Sequence, residues 1–500
     1  MRTLLSTLMI SGCLILGSCN TIGQEKNNEV QKICLLDGDN PDPSITYHNG
    51  IYYMVHSSFQ YSPGLIVYQS TDLVNWSPCS AALNKYVGSV WAPDICVYNN
   101  RFYIYFPTMG TNGNTNMVVW ADDPKGPWSE PVDLKVKGID PEHVVGKNGQ
   151  RYALIGSGHL YPLSPDGLSI TGNSVKIYNG WPIPEEWDRE GASLEGLNVR
   201  KIGEYYYLLA ADGGTAGPPT GHMVLQARSR NAEGPYENSP SNPLLRTESP
   251  DEQWWSQGHG QVIEGKNGTL YMVFHAYEKN YLTLGRQTLI CEVEVDKDGW
   301  LQLKKGEISL PKPLKKTEKG ISDFVWQTFK ESLSERAVIT ADEIILKGKG
   351  TTSANSSPLL LRSGDHSYEF EACLTLTGDN PSAGLVLFYN SSLDFGFGFG
   401  PDKLIRYRRN EISNNQPLIP VKMSDGKCTL WVKIQNINHI VSGWYSTDGE
   451  NWRKYPWGFD VQGVHHNTIG KYQFLSLRPG IFAGGEGEVK ITNFVYRSLE

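Results

Sequence analysis

Along the first three hundred residues, short runs of alternating aromatic or aliphatic and polar positions recur, each entered through a tight turn. Asn49-Gly50-Ile51-Tyr52-Tyr53, Asn99-Asn100-Arg101-Phe102-Tyr103, Asn148-Gly149-Gln150-Arg151-Tyr152, Ile202-Gly203-Glu204-Tyr205-Tyr206 and Asn267-Gly268-Thr269-Leu270-Tyr271 share this pattern. Asn-Gly is favoured where a two-residue hairpin needs positive φ at both central positions, and the alternation that follows suits a half-buried strand. The final tyrosine of each run recurs after 50, 49, 54 and 65 residues. Turns that close on an aromatic residue form a second series: Thr71-Asp72-Leu73-Val74-Asn75-Trp76, Asp123-Pro124-Lys125-Gly126-Pro127-Trp128, Ala232-Glu233-Gly234-Pro235-Tyr236 and Lys297-Asp298-Gly299-Trp300. In the third unit Pro165-Asp166-Gly167-Leu168 is the only candidate. Five units of roughly 50 residues, each with several short strands, predict a five-bladed β-propeller of four-stranded blades.

The series fades after Trp300, and Pro311-Lys312-Pro313-Leu314-Lys315-Lys316 reads as a linker. From about residue 322 a period of two returns, as in Tyr368-Glu369-Phe370-Glu371-Ala372-Cys373-Leu374 and Leu430-Trp431-Val432-Lys433-Ile434. No helical period competes with it, so the second unit is expected to be a β-sandwich and the whole chain all-β. The expected organisation is a propeller over 33–310, a linker over 311–321 and a sandwich over 322–500. Five hundred residues exceed what one hydrophobic core serves, which agrees with two domains. The run Phe395-Gly396-Phe397-Gly398-Phe399 is expected to pack against its partner sheet rather than to serve as a ligand platform.

The first residues read differently. Arg2, the apolar run Leu4 to Leu16 and the small-residue site Leu16-Gly17-Ser18-Cys19 form a targeting segment too short to span a membrane. A cysteine after Leu-Gly-Ser resembles the bacterial lipobox. That resemblance implies a signal segment over 1–19 that is cut just before an acylated Cys19, a tether over 20–32, and an exported lipoprotein on the periplasmic or cell-surface face of the outer membrane. An ordinary secretory signal with an incidental cysteine is the alternative. Beyond Cys19 the six cysteines, Cys34, Cys79, Cys96, Cys291, Cys373 and Cys428, show no metal-ligand spacing and are expected as thiols. A net charge of -8 with a pI near 5.8 argues against a nucleic-acid partner, which needs a concentrated basic face. A neutral polymer suits the chain better, and 14 Trp with 26 Tyr supply rings that can stack on sugars.

Candidate chemistry comes from the register of titratable residues against the repeat. Asp42, Asp94, Asp140, Glu195 and His259 lie 11, 9, 12, 11 and 12 residues before the final tyrosines of their units, so each blade would point one of them at a common channel. Carboxylates crowded in a partly dry funnel repel one another, which lets one keep a proton near neutrality beside another that is ionised. Acid and base catalysis requires that division. Breaking a glycosidic bond by single displacement needs a carboxylate to activate water and a carboxylic acid to protonate the leaving oxygen.

Asn40-Pro41-Asp42-Pro43-Ser44, Trp91-Ala92-Pro93, Gly138-Ile139-Asp140-Pro141 and Leu194-Glu195-Gly196 resemble the landmarks of glycoside hydrolase family 43. Ser57 to Gly64, Gly213-Gly214-Thr215, Gly258-His259-Gly260 and Leu284-Gly285-Arg286 are similar to its β-xylosidase and α-L-arabinofuranosidase branch, over residues 37 to 305. That branch carries a concanavalin-like jelly roll after the propeller. The resemblance implies an exo-acting, inverting hydrolase of oligo- or polysaccharide that releases pentose from hemicellulose. A β-D-xylosidase leads; an α-L-arabinofuranosidase acting on arabinoxylan, arabinan or xyloglucan side chains stays open. It also implies Asp42 as general base, Glu195 as general acid and Asp140 as the residue that orients Glu195 and raises its pKa. His259 and Arg286 would line the sugar pocket, with Arg286 forking to hydroxyls or to a carboxylate, and Phe59 and Trp91 would be its apolar walls. In that family the channel histidine often sits near a bound calcium, so a structural calcium near His259 is a candidate, with no cofactor required and no metal ligands assigned. The sequence departs from the family's usual words after the acid, reading Glu195-Gly196-Leu197-Asn198.

A single Asp before Pro is ordinarily a cap or turn opener, and only the shared phase lifts the three carboxylates above that. Asp94 is expected as a pocket or structural residue and Glu190 as solvated loop charge. His259 would otherwise be a satisfied core histidine, and Trp91 a core aromatic. A non-catalytic carbohydrate-binding propeller would lack one of the three carboxylates, and a retaining fructan hydrolase would show Asn-Asp-Pro-Asn and Arg-Asp-Pro words that are absent. In the resembling branch the sandwich also sends a loop toward the pocket.

Overall fold

Asn49 and Gly50 take φ of 49° and 86°, and Asn99 and Asn100 take 51° and 61°, so both hairpins turn through two left-handed residues as the sequence requires. Gly203 alone is left-handed in Gly203-Glu204, at 59°, which is the mirror-type turn that places glycine first. The other two expected hairpins differ. At Gly149 and Gly268 only the glycine has positive φ, and the loops close with the Gly149 and Gly268 amides donating to the Gly146 and Gly265 carbonyls. Those connections are longer because the strands part earlier.

The computed structural model describes residues 29–500 apart from 37, 111–112, 380, 418–422, 425–426 and 470–473; the targeting segment and Cys19 lie outside the described residues. Helix is confined to short turns, Leu333–Arg336 and His466–Ile469 being the α-helical ones among the described residues. The remainder is antiparallel sheet and loop, in keeping with the all-β expectation.

Five separate sheets follow one another along the first part of the chain. Their first strands are Ser44–His48, Asp94–Tyr98, Glu142–Val145, Glu195–Ile202 and Trp254–Glu264. Each enters a hairpin whose second strand carries the repeat's tyrosine, and the turns at 71–76, 122–131, 230–236 and 296–300 lead into the outer strands. The fifth sheet is composite: Lys32–Cys34 pairs antiparallel with Arg286–Val295, so the start of the described chain completes the last sheet.

The five first strands touch in a cycle, each packing on the next and Trp254–Glu264 returning to Ser44–His48. A polar bond ties every neighbouring pair. Ser44 Oγ donates to Asp94 Oδ1 at 2.9 Å, and the His143 amide donates to Asp94 Oδ2 at 2.9 Å. The Gly196 amide donates to Asp140 Oδ2 at 2.8 Å, Asn198 Nδ2 to the Gly260 carbonyl at 2.6 Å, and the Ile45 amide to Gln261 Oε1 at 2.5 Å. Between the sheets, apolar clusters such as Tyr53, Phe102, Ile104 and Phe106 supply the burial.

Residues 311–316 are exposed and irregular, and Glu318–Lys319 already pairs with Tyr496 and Arg497. Two sheets of nine and six strands follow, with one apolar cluster between them. Strand Ser367–Thr377 alternates buried and half-buried positions, as a strand with one face on a core must. The Phe395–Phe399 run behaves as expected: Phe397 meets Tyr455 and Phe459 of the opposite sheet at 5.1 Å each. On the other face Gly384 and Gly398 leave room for the Phe482 ring, which a Cβ at either position would meet at 2.8 Å. No disulfide joins the six cysteines among the described residues.

The two parts are joined by main-chain and charged contacts. Tyr61–Ser62 pairs with Thr328–Phe329, and Phe59 and Tyr61 belong to the sandwich's apolar cluster. The buried Arg478 guanidinium lies 3.4 Å over the Tyr61 ring, 3.8 Å from Asp39 Oδ2, and donates to Gln327 Oε1 at 2.8 Å. Arg362 donates to Asn40 Oδ1.

Gln261→Leu removes the acceptor of the buried Ile45 amide, and an orphaned buried donor costs about 1–3 kcal/mol. The expected outcome is a lower urea midpoint by tryptophan fluorescence, against a change of about 0.5 kcal/mol or less for the exposed Gln302→Leu.

Candidate active site

Three of the repeat-register residues sit in left-handed backbone: Asp42 at φ 56°, Asp140 at 53° and His259 at 56°. Such conformations cost of order 1–3 kcal/mol for a residue with a Cβ and persist where the surroundings hold them. Asp94, in the same register, is not left-handed and spends both carboxylate oxygens on Ser44 and the His143 amide. Glu195 and His259 lie beside register shifts, between Glu195 and Asn198 and between Gly258 and Gln261. A bulge of this kind re-aims side chains at strand ends.

The side chains of Asp42, Phe59, Trp91, Asp140, Glu195, His259 and Arg286 line one cavity of about 50 Å³, together with Ala92, Ile139, Thr215 and Phe474. All seven pocket residues read from the sequence are therefore brought together. Asp94 is not among them; with Asp140 and His259 it lines a smaller cavity of about 20 Å³ alongside Glu142, Asn198 and Gln261. Asn198, which marks the departure from the family's usual words, ties the fourth sheet to the fifth. Gly196 is needed for close approach, since a Cβ there would stand 2.8 Å from His259 Nδ1.

Asp42 is gripped on all sides. Arg286 Nη1 donates to its Oδ1 at 2.9 Å and Nη2 approaches Oδ2 at 3.4 Å, while Ser57 Oγ donates to Oδ2 at 2.5 Å. Burial alone would push this carboxyl up, but Arg286, His275 and His259 outweigh burial and hold it well below the usual carboxylate range. Arg286 is itself fixed by its amide, which donates to Asp39 Oδ1 at 3.1 Å.

Two residues of this grip were not legible in the repeat. His275, on the second strand of the fifth sheet, has Nδ1 3.1 Å from the Asp42 amide and Nε2 3.3 Å from Thr215 Oγ1. Burial and the neighbouring Arg286 depress its pKa to about 3, so the ring is neutral, and the same Nδ1 also lies 3.1 Å from Asp42 Oδ1. His275 stacks between His222 at 5.3 Å and His259 at 5.8 Å. Phe474 comes from the sandwich: it stacks on Phe59 at 6.3 Å, meets Trp91 edge-on at 5.5 Å, and lies 5.1 Å from the Arg286 guanidinium carbon. Nothing in the local sequence around Phe474 signals this, because the contact exists only once the two parts are docked.

The other two carboxyls have no such cation. Burial raises Asp140 to about 6, with His259 opposing and Asp42 adding to the rise. Burial also raises Glu195 well above its usual value, and the negative charges of Asp140 and Asp42 push it further, with Arg286 opposing. Asp140 reaches Glu195 through the backbone, by accepting the amide of the next residue, Gly196. Glu190 is exposed, accepts the Ala216 amide at 2.8 Å, and adds to the rise at Glu195. The pocket thus holds Asp42 ionised and Glu195 as a carboxylic acid, with Asp140 between them at about 6.

Among the described residues no three His, Cys, Asp or Glu side chains converge closely enough to hold a metal ion; Asp94, Asp140, Glu142 and His259 line the cavity of about 20 Å³.

Comparison with known proteins points the same way. The profile of Glycosyl hydrolases family 43 matches residues 32–301, and that of the Beta xylosidase C-terminal Concanavalin A-like domain matches 322–496. A non-reducing end alpha-L-arabinofuranosidase from Bacteroides ovatus is 33% identical over 53% of this chain and 52% of its own, so the match spans about half of that relative. A xylosidase/arabinosidase from Butyrivibrio fibrisolvens is 30% identical over 71% of this chain and 77% of its own. The crystal structure of the GH43 protein BlXynB from Bacillus licheniformis superposes with a TM-score of 0.80 at 25% identity, covering 94% of this chain and all of that one.

Asp140 supplies a test that needs no substrate. Its folded pKa of about 6 lies above the ordinary 3.8, so the stability it contributes is full below about pH 4 and is lost as the pH rises through about 6. Asp140→Asn lacks that loss. Its urea midpoint relative to wild type is expected to rise between pH 4 and pH 7, and an unchanged difference would contradict the assigned burial.

Proposed function

The chain belongs to glycosyl hydrolase family 43, and from that membership we propose an exo-acting, inverting glycosidase that releases pentose from plant hemicellulose, with β-D-xylose as the leading glycone. It is a glycoside hydrolase. The observation that carries the finer reading is the division of protonation in one pocket: Asp42 ionised beside Arg286, Glu195 neutral beside two anions. Asp42 acts as the general base on water and Glu195 as the general acid on the leaving oxygen. Asp140 positions Glu195 through the Gly196 amide and keeps its proton on. Arg286 and His259 contact the sugar and fix the base, while Phe59, Trp91 and Phe474 form the apolar wall against a ring face. We read the five sheets as blades of a propeller around this pocket, a reading supported by the cycle of first strands and by Lys32–Cys34 completing the fifth sheet. The domains proposed are the propeller over 33–310 and the sandwich over 322–500.

A second reading, α-L-arabinofuranosidase, is favoured by the name of the Bacteroides ovatus relative. The two sugars offer similar hydroxyl geometry to one pocket, and parallel assays on the nitrophenyl β-D-xyloside and α-L-arabinofuranoside separate them. A non-catalytic binding role is disfavoured because all three carboxyls line the cavity.

Asp42→Asn and Glu195→Gln are each expected to lower kcat/KM by about 10²–10⁴ with the fold intact by circular dichroism. Turnover at the wild-type level in either would end the assignment, and proton NMR of the first-formed sugar must show the inverted anomer. Asp140→Asn removes one anion facing Glu195, so the acid loses its proton more readily and the alkaline limb of the pH profile is expected to move to lower pH.

We propose that the exported protein is anchored by lipid on Cys19, on the strength of the Leu16-Gly17-Ser18-Cys19 word. Cys19→Ala should shift the protein from the detergent phase to the aqueous phase of a Triton X-114 partition; equal partition of both forms would dismiss the anchor.

A further inference from the structure

Behind the base, the loop 38–42 is wedged between the fifth sheet and the sandwich. A Cβ at Gly285 would stand 2.3 Å from Asp39 Oδ1, and one at Gly38 would stand 2.5 Å from the Ser363 carbonyl oxygen, so glycine at both positions lets the loop seat this closely. The loop and Arg286 are matched twice along the backbone. The Arg286 amide donates to Asp39 Oδ1 at 3.1 Å, and the Asn40 amide donates to the Arg286 carbonyl at 2.9 Å. Asp39 is therefore buried against the residue whose guanidinium forks onto Asp42.

A second buried carboxylate this near Arg286 is a rival for it. Asp39 and Asp42 both act on that cation, and burial raises Asp39, with Arg478, Arg286 and Arg362 opposing. Oδ1 of Asp39 is engaged by the Arg286 amide, whereas Oδ2 accepts no hydrogen bond from a described residue and has Arg478 Nη2 3.8 Å away. Arg478 opens the sandwich strand Arg478–Gly484 and is fixed independently of Asp39. Its guanidinium carbon lies 3.4 Å over the Tyr61 ring and Nη1 donates to Gln327 Oε1 at 2.8 Å, while Gln327 Nε2 donates to the Pro63 carbonyl at 2.7 Å. Burial lowers Arg478 to about 10, which leaves it charged near neutrality. The other sandwich cation that faces Asp39, Arg362, donates through Nη1 to Asn40 Oδ1 and to the Tyr68 hydroxyl. The phenols of Tyr61, Tyr277 and Tyr389 face Asp39 too, and burial raises all three, so they stay neutral.

Cations and anions thus alternate from the sandwich to the base, in the order Arg478, Asp39, Arg286, Asp42. Removing one member of a buried pair leaves the other charge uncompensated, and in a dry site that charge draws on the next cation within reach. For Asp39 that cation is Arg286. We infer that Arg478 is a positioning residue for the base: by holding Asp39, it leaves the Arg286 guanidinium undivided for Asp42. The inference rests on the assignment of Asp42 as base and deepens it, because Arg478 does not line the pocket and acts on the chemistry only through two other side chains.

The test reads the pH profile of the full chain on the nitrophenyl pentoside that it hydrolyses. Asp42 works as a base when ionised, and Arg286 with His275 and His259 holds its pKa low; dividing Arg286 between two anions raises that pKa, so activity fails at a higher pH on the acidic side. Arg478→Met is expected to lower kcat about tenfold and to move the acidic limb of kcat/KM up by about one pH unit. Arg478→Lys keeps the charge and should return at least half of that shift. Asp39→Asn removes the rival anion while its amide oxygen can still accept from Arg286. Added to Arg478→Met, it should return the limb to its wild-type position and kcat to within threefold, a rescue that lost packing alone does not produce. Where Arg478→Met does not fold, Arg478→Gln removes the same charge and can still donate to Gln327, and the double variant buries neither charge alone. A limb that stays in place in a folded variant neutral at 478, or a double variant no better than the single one, overturns the inference and leaves the glycosidase reading standing. A wild type inactive on every pentoside overturns both.

Discussion

Arg286 can neutralise one carboxylate, and three share its pocket. Burial pushes all three toward their neutral forms; the fork of the Arg286 guanidinium onto Asp42 lets that carboxyl alone stay ionised, and the charge so fixed adds to the rise at Asp140 and Glu195. The same cation lowers one carboxyl and fails to compensate the next two, so a base and an acid arise from residues of nearly identical intrinsic pKa. Remove the fork and the distinction between them fades. The support for the fork extends outward through the Arg286 amide to Asp39, and from Asp39 to Arg478 of the sandwich.

The contacts between the first strands and the chemistry of the pocket use the same atoms. Asp140 ties the third sheet to the fourth through Gly196, and Asp94 ties the first, second and third sheets together while lining only the smaller cavity. One register position thus carries two duties, and which duty dominates depends on whether the carboxylate oxygens are already spent on neighbouring strands. Asp94 has spent both. The sandwich contributes as well, since Phe474 closes the apolar wall and Arg362 reaches the loop before Asp42.

Much of this was legible in the sequence because repetition converts spacing into geometry. Tight turns located the strands, and counting back from Tyr53, Tyr152, Tyr206 and Tyr271 located Asp42, Asp140, Glu195 and His259. Phe59, Trp91 and Arg286 followed from the local words that resemble family 43 rather than from the count. What stayed hidden lies off that register. His275 enters from a second strand and His222 from the residue just before a third strand, and a count along the first strands does not reach either. Phe474 needs the docking of two parts whose contact has no local signature. The hairpins at Gly149 and Gly268 were misjudged because Asn-Gly also serves longer loops in which only the glycine is left-handed.

Lys32–Cys34 has its partner at Cys291, Ile290 and Leu289, and Asp42 has its counterion 244 residues later in the chain. During synthesis at about 5–20 residues per second, the opening strand waits on the order of 13 to 50 s for the segment it pairs with. Until then the nascent chain carries an unmatched strand edge and a negative group awaiting its cation, so the fifth sheet is completed and the two halves of the active centre come together in one late event.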